Sequence, residues 1–222
     1  MFTTVKPVRT ENNARAFTHS VGTFKLTYTF VAVFSLFSHI DFLFFTRMVD
    51  VVAHDGHVDY IVAASKFGLF AVHANIYIDC TGDGDLCAWA GADFEYGDEN
   101  GDVMPPTLCS LWSNIDYDRA EPIKNKLELA IKDGVFTNED RHVPGIMPSN
   151  PEKGIGGGNV GHVFGAHGTD DVSLTKAMIE GRKIVSEFKR FHNEYVEGYE
   201  NAYLCYTADM LGIRESRRIV GD

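Results

Sequence analysis

Asp79-Cys80-Thr81-Gly82-Asp83-Gly84-Asp85 stands at the end of a β-rich apolar run and just before a short stretch of helical character, Leu86 to Ala92. Glycines at a strand-to-helix turn let the main chain come close to a ligand, and the free N–H groups of a helix start can donate to phosphate or ribose oxygens. The chemistry this points to is the holding of a nucleotide by Thr81, Gly82, Asp83, Gly84 and Asp85. Gly-Asp-Gly is also ordinary turn chemistry, so a plain strand-to-helix turn is the other reading.

Arg214, Arg217 and Arg218 form the one dense basic group, beside Glu215. Guanidinium forks suit carboxylate and phosphate oxygens, which points to anion or flavin-side binding; a solvated, salt-bridged surface is the alternative. A literal Gly-x-Gly-x-x-Gly occurs at Gly156-Gly157-Gly158-Asn159-Val160-Gly161. A dinucleotide fingerprint needs a strand before it and a helix after it. Pro148 and Pro151 precede it, and proline breaks a central ladder, while His162 to His167 reads as extended; the run is therefore expected to be a glycine-rich loop. Glu180, near the spacing of a ribose-binding acid, falls inside a predicted helix. The nine histidines contain no His-x-x-x-His, which leaves a metal-dependent hydrolase without support and no metal site expected. Ser65, Ser110 and Ser216 lack a nucleophile-elbow setting. The four cysteines, Cys80, Cys87, Cys109 and Cys205, form no Cys-x-x-Cys pair and no disulfide framework. Reduced thiols in a cytoplasmic protein are expected.

The run DFLFFTRMVDVVAHDGHVDYIVAASKFGLFAVHANIYIDCTGDGD, residues 41–85, resembles the middle of the FAD-dependent oxidoreductases of the glutathione-reductase-like superfamily. It is most similar to the branch that includes the heterodisulfide-reductase-like flavoproteins. Residues 90–101, 104–116 and 211–222 agree with that branch in the same order, the last of them reading LGIRESRRIVGD. The resemblance implies FAD as cofactor and a flavin-mediated electron or hydride transfer on an unidentified small molecule, with an electron-transfer partner protein as a further expectation. It places Thr81 to Asp85, Arg217, Arg218 and Gly221 beside the cofactor, and Arg214 near the substrate or flavin carbonyl side, where its role would be electrostatic. Asn159 and His162 are implied on the substrate side. Some relatives carry iron–sulfur clusters, a feature the cysteine spacing here does not support. Such flavoproteins open with a Gly-x-Gly-x-x-Gly turn that cradles pyrophosphate, which residues 1–40 do not contain, and close with a further flavin-side strand. The chain is therefore read as an internal fragment with weak or no FAD retention. An interaction module without redox chemistry, or an inert truncated product, is the alternative.

These residues need a scaffold. With 45% hydrophobic and 23% charged residues in 222, the chain can bury a core as one large domain or two small ones. A net charge of −11 argues against nucleic acid, since phosphate neutralisation needs clustered lysine and arginine. Leu26 to Ser38 is apolar but shorter than the ~20 residues a membrane span requires, and its β character predicts one or two buried strands; residues 1–22 read as flexible. His54-Asp55-Gly56 predicts a hairpin between strands 40–52 and 57–65, and a turn at Lys66-Phe67-Gly68 leads to a third strand, 69–79. Ile76-Tyr77-Ile78 is apolar on both faces, as in a buried parallel strand. Residues 94–106 read as a polar loop, 107–115 and 202–208 as strands, and 121–133 as a helix stopped by Gly134. Apolar residues from Leu174 to Tyr195 at helical spacing predict a long helix over 172–196, capped by Asp170 and Asp171, with Gly181 marking close packing. The fold class expected is mixed α/β, a partial Rossmann-like FAD-binding domain with a β-meander and an α+β substrate-side domain. The boundaries expected are 1–39, 40–92 and 93–222.

Overall fold

The computed structural model describes residues 41–143, 145–214 and 216–221. The expectations for residues 1–40, including the strands over 26–38, fall outside them. The described chain divides into two compact units, one holding 41–80 with 85–92, the other 81–84 with 93–221.

The first unit is a meander of β1 (Arg47–His54), β2 (His57–Ser65) and β3 (Gly68–Val72), with a short helix α1 (Asp85–Trp89). Its β1–β2 connection is the two-residue turn expected, with Asp55 at φ 50° and Gly56 at φ 77° and His54 paired to His57. Two consecutive left-handed residues match the right-handed twist of the flanking strands, and Asp-Gly is among the few pairs that accept them. The third strand ends earlier than expected. Ile76 and Ile78 are 79% and 80% exposed, and residues 73–81 carry no ladder. The cause is local: the Tyr77 hydroxyl accepts from the Ala74 N–H at 2.9 Å and lies 3.2 and 3.3 Å from the carbonyls of Asp59 and Val72. A side chain thus takes backbone groups that a longer strand would have paired. The 81–85 turn therefore follows an irregular stretch rather than a strand.

In the second unit β4 (Phe94–Tyr96) pairs antiparallel with β9 (Arg217–Ile219), so part of the expected 94–106 loop is a strand. Its remaining strands, β5 (Ser110–Ser113), β6 (Ile146–Asn150), β7 (Ile155–Gly158) and β8 (Tyr203–Thr207), form one sheet in the order β6-β7-β5-β8. Two helices accompany them, α2 (Lys124–Lys132) and α3 (Asp171–Tyr195). The class is mixed α/β. All strand pairs among the described residues are antiparallel, and a parallel βαβ unit is not among them.

Two expectations about the glycine run are corrected. The proline-bearing segment before it does form a strand, but at the edge of the sheet, where a missing N–H faces no neighbour, and the register slips between Pro148 and Asn150. The run itself is a central strand, β7, rather than a loop. Glycine is required there by crowding: a Cβ on Gly156 would overlap the Tyr117 hydroxyl and stand 2.5 Å from Ile146 Cγ2, and one on Gly158 would stand 2.6 Å from Ser110 Oγ. No helix opens on its far side, so the run is not a dinucleotide fingerprint either.

The core of this unit forms where α3 meets the sheet. Ala177, Gly181, Ile184, Val185, Phe188, Phe191 and His192 make its buried face, at the helical spacing that the sequence shows. Gly181 lets α3 approach closely, since a Cβ there would lie 3.1 Å from Leu108 Cβ and 3.3 Å from Leu211 Cδ2. Trp112 of β5 meets His192 edge-on at 4.9 Å, and Phe136 packs on Phe188 at 4.8 Å. The helix begins at Asp170, whose extended backbone lets its carboxylate accept the Ser173 N–H at 2.5 Å. Asp170→Ala is expected to lower stability by about 1 kcal/mol, whereas Asp171→Ala, which loses only a dipole interaction, should cost less than half of that. Urea unfolding midpoints of the two variants check this ordering.

Candidate functional site

Gly82 and Asp83 form the turn of the 81–84 segment. Gly84 takes φ +62°, a left-handed conformation that favours glycine, and a Cβ there would meet Ile219 at 2.9 Å. Glycine at 84 is therefore what lets the turn lie against β9. Arg217, the first residue of β9, donates to the Asp83 carbonyl at 3.3 Å, and its guanidinium sits 5.5 Å from the centre of the Phe94 ring. The fold thus joins two motifs far apart in sequence, Thr81–Gly84 and Arg217–Gly221, inside one unit. Gly82 and Gly221 have open space where a side chain would begin. Asp85 opens α1 in the first unit, where Asp79 accepts the Cys87 N–H at 2.9 Å. Burial first, and then the Asp79 carboxylate, push the Cys87 thiol up, away from the thiolate form.

One atom in this turn stands out: Oδ1 of Asp83 is buried and has no hydrogen-bond partner among the described residues. A buried carboxylate oxygen without a donor costs free energy, so its place in a native fold calls for a donor from a bound molecule.

Arg218 is engaged differently. It donates to the Gly97 carbonyl at 2.7 Å and to Glu95 at 3.4 Å, the salt-bridged arrangement. It borders an open groove of about 580 Å³ with Tyr96, Asp98, Met104 and three further carboxylates, those of Glu95, Glu99 and Asp102. The backbone N–H groups of Asn100 and Asp102 hold the Asp98 carboxyl below its ordinary value, so that it stays ionised. Such a groove repels phosphate. Arg214 is exposed.

Asn159 and His162 occupy another part of the unit. The Asn159 carboxamide oxygen lies 4.0 Å from Cys109 Sγ. His162 is held by Asp140, a residue without a sequence signal of its own, because Asn138-Glu139-Asp140-Arg141-His142 reads as a solvated loop. Asp140 is 6% exposed and accepts three bonds: the His162 N–H at 2.9 Å, the His162 ring Nδ1 at 2.8 Å and the His142 N–H at 3.0 Å. Burial alone would raise its carboxyl; the N–H groups of His162 and His142, with the His162 ring, outweigh burial and hold it below the ordinary carboxylate range. Among the described residues there is no grouping of three His, Cys, Asp or Glu able to hold a metal ion, and no helix is long and apolar enough to cross a membrane.

The sequence model of one family, FAD dependent oxidoreductase, matches residues 5–222. The chain belongs to that family. Neither the curated proteins nor the solved structures yielded a match. FAD is accordingly the cofactor and oxidoreduction the general activity of this oxidoreductase. The residues present fit part of that cofactor: the orphaned Asp83 oxygen is an acceptor suited to a sugar or ribityl hydroxyl, beside open backbone at Gly82 and Gly221.

Proposed function

We propose that this chain binds FAD through the Thr81–Gly84 turn and the Arg217–Gly221 strand end, and carries out electron or hydride transfer on a small substrate. The observation that carries the reading is the buried, partnerless Oδ1 of Asp83. A carboxylate is acceptor-only when ionised, so its complement is a hydroxyl or N–H donor, and FAD brings a chain of hydroxyls. Bound FAD supplies the electron-accepting ring; the protein binds, orients and sets the charge around it. Arg217, tied to the Asp83 carbonyl, fixes the turn's position, and Arg214 is placed to neutralise negative charge on a substrate carboxylate or on the ring. The run Ile78 to Asp85 and the Gly212 to Arg218 motif support the heterodisulfide-reductase-like branch.

The described residues include no strand, glycine turn and helix for the pyrophosphate, and the acidic groove beside Arg218 does not replace one. FAD retention is therefore expected to be weak, with a Kd above about 1 μM. Asp83→Ala should weaken FAD binding by about tenfold or more, the worth of one charge-assisted hydrogen bond. The stability of the ligand-free protein should be unchanged or raised, because an unpaired buried acceptor is removed. Calorimetric titration with FAD, alongside thermal melts without it, checks both halves. An Asp83→Ala protein that binds FAD as well as its parent would end this reading of the turn.

A further inference from the structure

We propose that His162 and Asp140 form a proton-transfer pair, in which His162 takes up or releases the proton of a substrate O–H or N–H and Asp140 positions it. The proposal rests on the flavin-linked reading only for its place in a reaction. Its physical basis is independent of that reading. An ionised carboxylate can only accept, so the 2.8 Å contact from Asp140 to Nδ1 requires that nitrogen to carry a hydrogen. In the neutral ring the lone pair then belongs to Nε2. The two partners differ in access: the His162 side chain is 21% exposed, that of Asp140 only 5%. A buried acid thus fixes the tautomer of a solvent-reachable base. When Nε2 accepts a proton, the substrate O–H or N–H bond breaks with its electron pair left on oxygen or nitrogen, an Nε2–H bond forms, and the carboxylate balances the new imidazolium.

The position of the pair favours use over mere bracing. Thr107 is bridged on one side to His162 and on the other to Gly212, and Gly212 accepts from Thr107 and donates to it at 3.4 and 2.8 Å. His162 and the Gly212–Arg218 motif are thereby a chain's width apart on either side of Thr107, about 10 Å at ordinary strand spacing. Bracing the 138–143 loop needs only the two backbone N–H bonds that Asp140 already accepts; the ring bond adds imidazole orientation. The titratable groups bonded to the pair are Asp140 and His162 themselves, with His142 contributing only its backbone N–H. The substrate class that fits is a small hydroxy or amino compound.

Diethyl pyrocarbonate, which acylates the lone-pair nitrogen of neutral imidazole, provides the test, read by peptide mapping at alkaline pH with the exposed His57 as internal reference. His162 should be modified. Asp140→Asn should slow that modification by about tenfold, Asp140→Glu should restore part of it, and His57 should not change. Should Asp140→Asn fail to fold, nitrogen NMR of the parent protein decides: an Nδ1–H tautomer at His162 supports the pair and an Nε2–H tautomer overturns it. An unmodified His162 beside a modified His57, or equal rates in parent and Asp140→Asn, would also overturn it. Neither readout involves flavin. A protein that binds no FAD yet has a reactive His162 would refute the proposed function and leave this pair standing, and a flavin-binding protein with an inert His162 would do the reverse.

Discussion

His192→Phe is expected to make the protein markedly less sensitive to acid. His192 is wholly inaccessible, and neither ring nitrogen has a hydrogen-bond partner among the described residues. It lies instead among aromatic rings, with Trp112 edge-on at 4.9 Å and Tyr199 stacked at 5.3 Å. Burial pushes its pKa down to about 3, whereas in the unfolded chain a histidine titrates near 6.5. Between those values the unfolded state binds a proton that the folded state does not. The contribution to stability is thus complete above about pH 6.5 and is lost as pH falls toward 3, at up to ~1.4 kcal/mol per pH unit. At pH 4 the parent should have lost about 3 kcal/mol from this one group. Phenylalanine keeps the aromatic packing and cannot protonate. Urea unfolding from pH 7.5 to pH 4 should give curves that diverge on the acid side, with the variant at least as stable at pH 7. Parallel curves would mean that the ring is solvated or paired in solution.

Gly198→Ala should cost about 3–5 kcal/mol, enough to threaten folding, because strain and overlap add at one position. The residue sits at φ +84°, and a Cβ would stand 2.6 Å from Ala120 Cα, 2.7 Å from Ala120 N and 2.7 Å from the Asp116 carbonyl oxygen. All three are backbone atoms, which no rotamer change can move aside. The clash falls where the end of α3 is clamped to the 116–121 turn: Asp116 N–H donates to the Gly198 carbonyl at 2.9 Å and Glu121 N–H to the Glu197 carbonyl at 3.2 Å. Arg119 adds ion pairs to Glu197 and Glu200 on the surface, which are worth little by themselves. Gly157→Ala is the matched control. Nothing lies within 4 Å of its built Cβ, and its cost should stay within about 0.5 kcal/mol. A thermal melt of the two variants separates them: a Gly198→Ala protein melting with its parent would show that the turn is free to move off α3.

Much of the scaffold around the candidate site was readable one segment at a time. The Asp55-Gly56 hairpin, the buried face and Asp170 cap of α3 and the close approach at Gly181 all follow from φ preferences and from helical spacing within a few residues. The Thr81–Gly84 turn belongs with these, because a glycine-punctuated turn declares itself locally. Other features did not. Whether Ile76 and Ile78 lie in a strand depended on a Tyr77 hydroxyl taking the backbone groups of Asp59 and Val72. Pro148 excludes a central strand but not an edge one, and only the sheet order says which edge exists.

What this sequence settles unaided is the set of short-range conformations and, through motifs shared with the FAD-dependent oxidoreductases, the kind of cofactor. The tertiary structure alone decides who fills the space beside each residue. Gly156 and Gly158 are glycines because Tyr117, Ile146 and Ser110 occupy the positions of their missing side chains, in a strand that composition alone presents as a loop. Asp140 becomes a buried anchor for His162, and Asp83 an acceptor without a donor, through contacts with no sequence period. Local sterics act over a few bonds and leave a pattern in the chain, whereas burial and hydrogen-bond satisfaction depend on residues that only folding brings together.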